Sequence, residues 1–201
     1  MPNAWDSGIR VNIVDTVDFS KIQKAAQKAA CNILVGFPSG RQHVPTIHKN
    51  KNGEYKGYNG ESVADIKPIE TAELAKSLSF GTAEYPARPF LEEGIESKKD
   101  ELVEAMKQEA KKAIEGGGAN WNKVGTMAVG AIQEFVRGDY YKSTKPNSKK
   151  TIEYKGSDKP LIDGADLINS LAYVVGNDTF MTGKGEMDTK QYAGTDFRSG
   201  K

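Results

Sequence analysis

The chain holds one cysteine, Cys31, and two histidines, His43 and His48, in 201 residues. A lone thiol excludes an intrachain disulfide and a cysteine-rich metal centre, and it fits folding in a reducing cytoplasm. Excess charge of either sign is missing too: 28 Lys plus Arg stand against 27 Asp plus Glu. No overall field therefore steers the chain to nucleic acid or to an anionic membrane, and a nucleic-acid reader is usually more basic. No apolar run approaches the roughly 18 residues needed to cross a bilayer, so no membrane partner is expected. The opening Met1-Pro2-Asn3-Ala4-Trp5-Asp6 has no basic stretch leading into an apolar one, and no export signal is expected there. No period of about 20 to 50 residues recurs, which argues against a solenoid or a propeller.

What remains is a length and a 37% hydrophobic content suited to one ordinary core. The alternation of Ile9, Val11 and Ile13 suggests a short strand, and Asp18 or Ser20 can cap an amphipathic helix over about 19–30. Asn32 to Phe37 is a compact apolar run closed by Pro38-Ser39-Gly40 and reads as a core strand. Residues 40–66 are polar and contain Asn52-Gly53, the pair that a two-residue hairpin turn favours. A hairpin with strands Thr46 to Lys51 and Glu54 to Tyr58 is expected to protrude until a partner covers it, which makes Asn52, Tyr55 and Tyr58 candidate subunit contacts.

Thr71 to Ser79 suits a short helix leading to Phe80-Gly81. Pro86 then keeps the chain extended, and Pro89, with φ preset near the helical value, suits the first position of a helix running from Phe90 to Ile114. Gly116-Gly117-Gly118 ends that helix, and a second one, capped by Asn120 or Asn122, runs to about Arg137. Gly125 and Gly130 would let it approach its neighbours closely. After a polar stretch over 138–160, Leu161-Ile162 anchors the chain ahead of a short helix, Ala165 to Asn169, and a last strand, Leu171 to Val175. The expected fold is α+β: a small antiparallel sheet packed against a long helical hairpin, in one domain over 1–176, followed by a flexible C-terminal tail over 177–201.

Residues of the kind that carry catalysis are scattered. His43 and His48 lack a third ligand, so they read as a solvated pair rather than a zinc site. Cys31 has no histidine held beside it and reads as a small buried residue. Gly116-Gly117-Gly118 lacks the Lys-Ser/Thr ending of a phosphate cradle, and Asp163 and Asp166 read as caps of the short helix. A small hydrolase is disfavoured for want of a nucleophile and base pair, and no cofactor is expected. Lys145, Lys149 and Lys150, near Tyr140 and Tyr141, form the most basic stretch and could face DNA. That leaves a non-sequence-specific nucleic-acid-binding module as the alternative reading.

Two segments carry a resemblance: Phe80-Gly81-Thr82 followed by Pro86-Ala87-Arg88-Pro89-Phe90-Leu91, and Lys155-Gly156-Ser157-Asp158-Lys159-Pro160-Leu161-Ile162-Asp163 running on to Ser170. In this order, around two helices, they resemble the head-tail joining and tail-completion (neck) proteins of long-tailed bacteriophages, over about residues 68–176. Asp163-Gly164-Ala165 stands where many of those proteins have Asp-Thr-Gly. The resemblance implies a non-catalytic protein of the virion, made in the host cytoplasm, that assembles as a ring, commonly a hexamer, around the DNA channel. It also implies partners: the portal-bound adaptor on one side, the tail terminator, tube or sheath on the other, and passing DNA without sequence-specific contact. Within the first segment, Pro86, Pro89 and Phe90 are read as building the joint, with Leu161 and Asp163 doing so in the second. Arg88 is the residue left with hydrogen-bonding capacity for a neighbouring subunit.

Overall fold

A computed structural model describes residues 31–176 and the backbone of two further strands, Phe180–Thr182 and Gly185–Glu186. The strand expected over Ile9 to Ile13 and the helix expected over 19–30 lie outside the described residues, as does the rest of the segment 177–201.

Strand β1 (Ile33–Gly36) pairs antiparallel with β6 (Ala172–Val175), with Ile33 opposite Val175 and Gly36 opposite Ala172. The sheet continues through β7 (Phe180–Thr182) to β8 (Gly185–Glu186), in the order β1-β6-β7-β8. Those last two strands fall in the stretch read as a flexible tail, where the sequence reading placed none. Two short ribbons complete the strands: β2 (Gln42–His43) with β5 (Ile69–Glu70), and β3 (His48–Lys49) with β4 (Tyr55–Lys56). The fold is therefore α+β with small antiparallel sheets.

Helix α1 (Thr71–Phe80) follows β5 directly. The single helix expected from Phe90 to Ile114 is two helices, α2 (Phe90–Glu96) and α3 (Lys99–Ile114), broken at Ser97-Lys98. Gly94 and Ser97 are weak helix formers at the break, and the Ser97 hydroxyl donates to Gly94 O. Packing sets the break's position. A Cβ at Gly94 would lie 2.8 Å from Ile132 Cα, so α2 sits tightly on α4 (Trp121–Arg137) and the chain must turn before α3 can run on. Asn120 caps α4, its side chain accepting from Lys123 N–H, as the capping pattern implies. Gly125 meets the expectation of close approach, because a Cβ there would overlap the Tyr173 ring. Gly130 does not: it is exposed, and a Cβ on it would meet nothing within 4 Å.

The polar stretch after α4 is helical rather than loop. It forms α5 (Tyr140–Thr144) and α6 (Lys149–Lys155), the latter opened by a Ser148 cap on Thr151 N–H and closed by left-handed Gly156. These terminators are local signals that its hydrophilic composition obscured. Helix α7 (Asp166–Asn169) leads into β6. One core joins the layers: Phe37, Phe90, Ile132, Ile168, Leu171 and Tyr173 are buried together, with Leu161 and Ile162 packed at its edge.

Candidate functional site

The Pro-Ala-Arg-Pro-Phe segment is an internal joint. Phe90 is fully buried and meets Phe37 edge-on, with ring centroids 6.1 Å apart. Pro89 stands one position earlier than expected, as the cap of α2, and its carbonyl accepts from Glu93 N–H. Pro86 is exposed on the loop that folds back toward Gly81.

Arg88 corrects the sequence reading. Only 5% of it is exposed, and it has little left to offer a neighbour: Nε and Nη2 donate to Lys145 O at 3.0 and 2.8 Å, and Nη2 also to Pro146 O at 3.1 Å. A planar guanidinium reaches two successive carbonyls that a point charge could not serve equally. Burial disfavours its charged form and draws its pKa down. Beside it, the buried Tyr141 hydroxyl donates to Glu93, and burial first, then that bond, push the phenol well above its ordinary range. The 81–90 loop and the α5–α6 connection are thereby locked together.

The hairpin forms, but its turn and its position differ from expectation. Gly53 N–H donates to Asn50 O, so the turn runs from Asn50 to Gly53, with Gly53 left-handed at its end rather than at its centre. The Asn50 side chain organises it by accepting from Asn52 and Glu54 N–H. The ribbon does not stand away from the body. It lies along α6, where Tyr154 OH donates to Lys56 O at 3.0 Å, Tyr58 OH meets Thr151 Oγ1 at 3.2 Å and Lys51 pairs with Glu153 at 3.1 Å. Tyr58 is thus partly spent on the body, whereas Asn52 and Tyr55 remain exposed at the outer end. The polar hairpin finds its cover within the chain because α6, read as loop, presents aromatic and hydroxyl groups to it.

The two histidines are not a solvated pair. His48 Nε2 lies 2.8 Å from Asp163 Oδ1 and edge-on to Tyr154, while His43 Nδ1 lies 3.9 Å from Asp166 Oδ2. Asp163 accordingly does not cap α7, which starts after left-handed Ala165 without a side-chain cap. The segment from His43 to His48, which links the two ribbons, is fastened instead along Asp163 to Asp166. Among the described residues no group of three or more His, Cys, Asp or Glu side chains could hold a metal ion. Burial pushes the Cys31 thiol up, away from the thiolate a nucleophile needs.

Of the three lysines read as facing DNA, two are engaged locally. Lys150 Nζ sits 4.3 Å above the Tyr58 ring and 3.2 Å from Asn59 Oδ1. Lys145 lies 5.7 Å over the Tyr141 ring and 3.9 Å from Glu93. Lys149 is exposed at the start of α6. The three do not form one open basic track.

Three features escaped the sequence reading. Glu109, 1% exposed, accepts from Asn120 N–H at 2.8 Å and Lys112 Nζ at 2.7 Å, clasping α3 to the start of α4. Phe80, which ends α1, is 77% exposed. Helical spacing could have shown this, since position 80 falls opposite the Ala72, Ala75 and Leu78 stripe. Finally, α3 and α4 leave a groove of about 250 Å³ floored by Leu102, Met127, Gly130 and Ala131. No helix among the described residues is long and apolar enough to cross a membrane. Models of known protein families, curated proteins and solved structures were each compared with the chain, and none matches.

Proposed function

We propose that the chain is a structural protein of the bacteriophage neck, forming a ring that joins the portal or its adaptor to the tail and encloses the channel for DNA. The observation that carries this reading is the use made of the two segments on which the resemblance rests. Phe90 and Arg88 of the first fix α2 and the α5–α6 connection, and Leu161 and Asp163 of the second fix the turn before β6. Both segments are joints, so their residues specify how the rest of the surface is presented. A near-neutral balance of charge supports a subunit that stacks on other proteins and lets DNA slide past. Exposed apolar side chains, among them Phe80, Tyr55, Val103 and Ile114, supply contact area for neighbours.

On this reading the protein belongs to the virion and performs no catalysis. The test is electron microscopy and native mass spectrometry of the purified chain with portal and tail partners. Closed rings seated between the two are expected. A strict monomer that joins neither assembly overturns the proposal.

A further inference from the structure

We propose that two copies of the chain pair through α3, side by side and antiparallel, about a two-fold axis beside Met106. The inference concerns the free protein and does not depend on the neck reading.

Helix α3 carries two apolar stripes, and only one is buried among the described residues. That one holds Leu102, Ala105 and Ala113, with Glu109 among them. Val103, Met106, Ala110 and Ile114 form the other: they recur at spacings of three and four residues and, at 3.6 residues per turn, share an arc of about 80°. Val103 is 40% exposed, Met106 39% and Ile114 56%. This is the spacing of a seam that takes a second helix along its length.

Charge selects that helix. Asp100, Glu104, Lys107 and Lys111 are exposed along one edge of the stripe, the acids in the N-terminal half of α3 and the bases in the C-terminal half. On a single helix this order twice sets like charges four residues apart, which is unfavourable. The helix dipole accounts for Asp100 in the first turn and Lys111 in the last, but it does not reach Glu104 or Lys107. Among the described residues Asp100, Glu104 and Lys107 have no ion-pair partner, and Glu104 accepts only from Gln108 at 3.4 Å. The neighbouring acids are matched within the copy: Glu115 lies 3.8 Å from Lys111, and Glu96 lies 2.8 Å from Lys99 at the head of the stripe.

An antiparallel second copy puts Asp100 opposite Lys111 of its partner and Glu104 opposite Lys107 of its partner, on the same side of the seam. The two matches share one midpoint, between positions 105 and 106, so a single register satisfies both and symmetry doubles them. In that register Met106 meets its own counterpart. Val103 falls level with the gap between Met106 and Ala110 of the other copy, a knob facing a hole. A parallel pair would set the charged edges on opposite sides of the seam and match none of them. An unrelated partner would need the reverse order of charges by coincidence, whereas a second copy supplies it by symmetry. Such an isologous pair closes at two copies and leaves the remaining surface open.

The test uses full-length protein, whose sedimentation velocity should show a concentration-dependent dimer. Asp100→Lys with Glu104→Lys makes the edge wholly basic, and Lys107→Glu with Lys111→Glu makes it wholly acidic. Each variant alone should dimerise at least about tenfold more weakly than the parent. Mixed in equal amounts, the two should associate again as mixed dimers. All four positions are exposed, and circular dichroism checks that both variants fold. In a Cys31→Ser background, Met106→Cys should crosslink to itself with a thiol reagent of short span. Ile114→Cys, about 25 Å from its counterpart along an antiparallel pair, should not. A parent that is monomeric at every concentration overturns the proposal, as does a dimer that neither charge variant weakens or a mixture that fails to associate. Crosslinking of Ile114→Cys as readily as Met106→Cys overturns the antiparallel register.

Discussion

Replacing Arg88 separates a scaffold residue from an interface residue, because the two roles move different measurements. Its guanidinium makes three contacts with the carbonyls of Lys145 and Pro146 while 5% exposed. A hydrogen bond involving a charged group contributes about 1.5–3 kcal/mol net. Three contacts shared between two acceptors, set against the cost of burying the cation, leave about 2–4 kcal/mol lost in Arg88→Met. With a urea slope of about 2 kcal/mol per molar, the unfolding midpoint should fall by about 1–2 M. Arg88→Lys keeps the charge but not the fork, and should recover no more than about half of the loss. Equilibrium unfolding followed by circular dichroism reads both variants. A midpoint within about 0.2 M of the parent, accompanied by loss of assembly, would refute the internal role and return Arg88 to the subunit interface.

Phe90→Ala empties a fully buried site against Phe37 and should cost about 3–5 kcal/mol in the same titration; a near-zero loss would mean that Phe90 is not core. Gly81→Ala combines a left-handed backbone with a clash at Ala87 N, so a loss of about 1–3 kcal/mol is expected, and an unchanged thermal midpoint would show that the 81–88 loop is not seated as described. The carboxyl of Glu109 is held below its ordinary value of 4.5 by Lys112 first and by Asn120 N–H next. Since the folded chain binds this proton less tightly than the unfolded one, the contribution is complete above pH 4.5 and is lost as pH falls through the lower folded value. Glu109→Gln should therefore flatten the fall in stability below pH 4.5 in acid titrations followed by fluorescence, and an acid profile parallel to the parent's would contradict the clasp.

Much of the fold was legible because its signals are local. Asn120 capping α4, the terminating Gly116 and the pairing strands at Ile33 and Ala172 follow from capping, left-handed glycine and apolar runs. Helix α6 was missed although Ser148 and Gly156 bracket it, because the polar residues between them carry no apolar stripe. The break between α2 and α3 was missed for the opposite reason: the stripe runs through it, and only the seat of Gly94 on Ile132 shows where the chain must turn.

Composition and motif order by themselves determined the absence of a disulfide, the neutral balance of charge, the α+β class and the presence of two proline-bounded joints. Tertiary structure decided what individual side chains are for. Arg88 turns inward because two carbonyls fifty-seven and fifty-eight residues later meet its fork, and Asp163 leaves α7 uncapped because its carboxylate pairs with His48. Phe80 turned outward because its helix packs on the other side. Such roles depend on contacts between segments far apart in the chain, and local propensity holds no record of which distant group will be the partner.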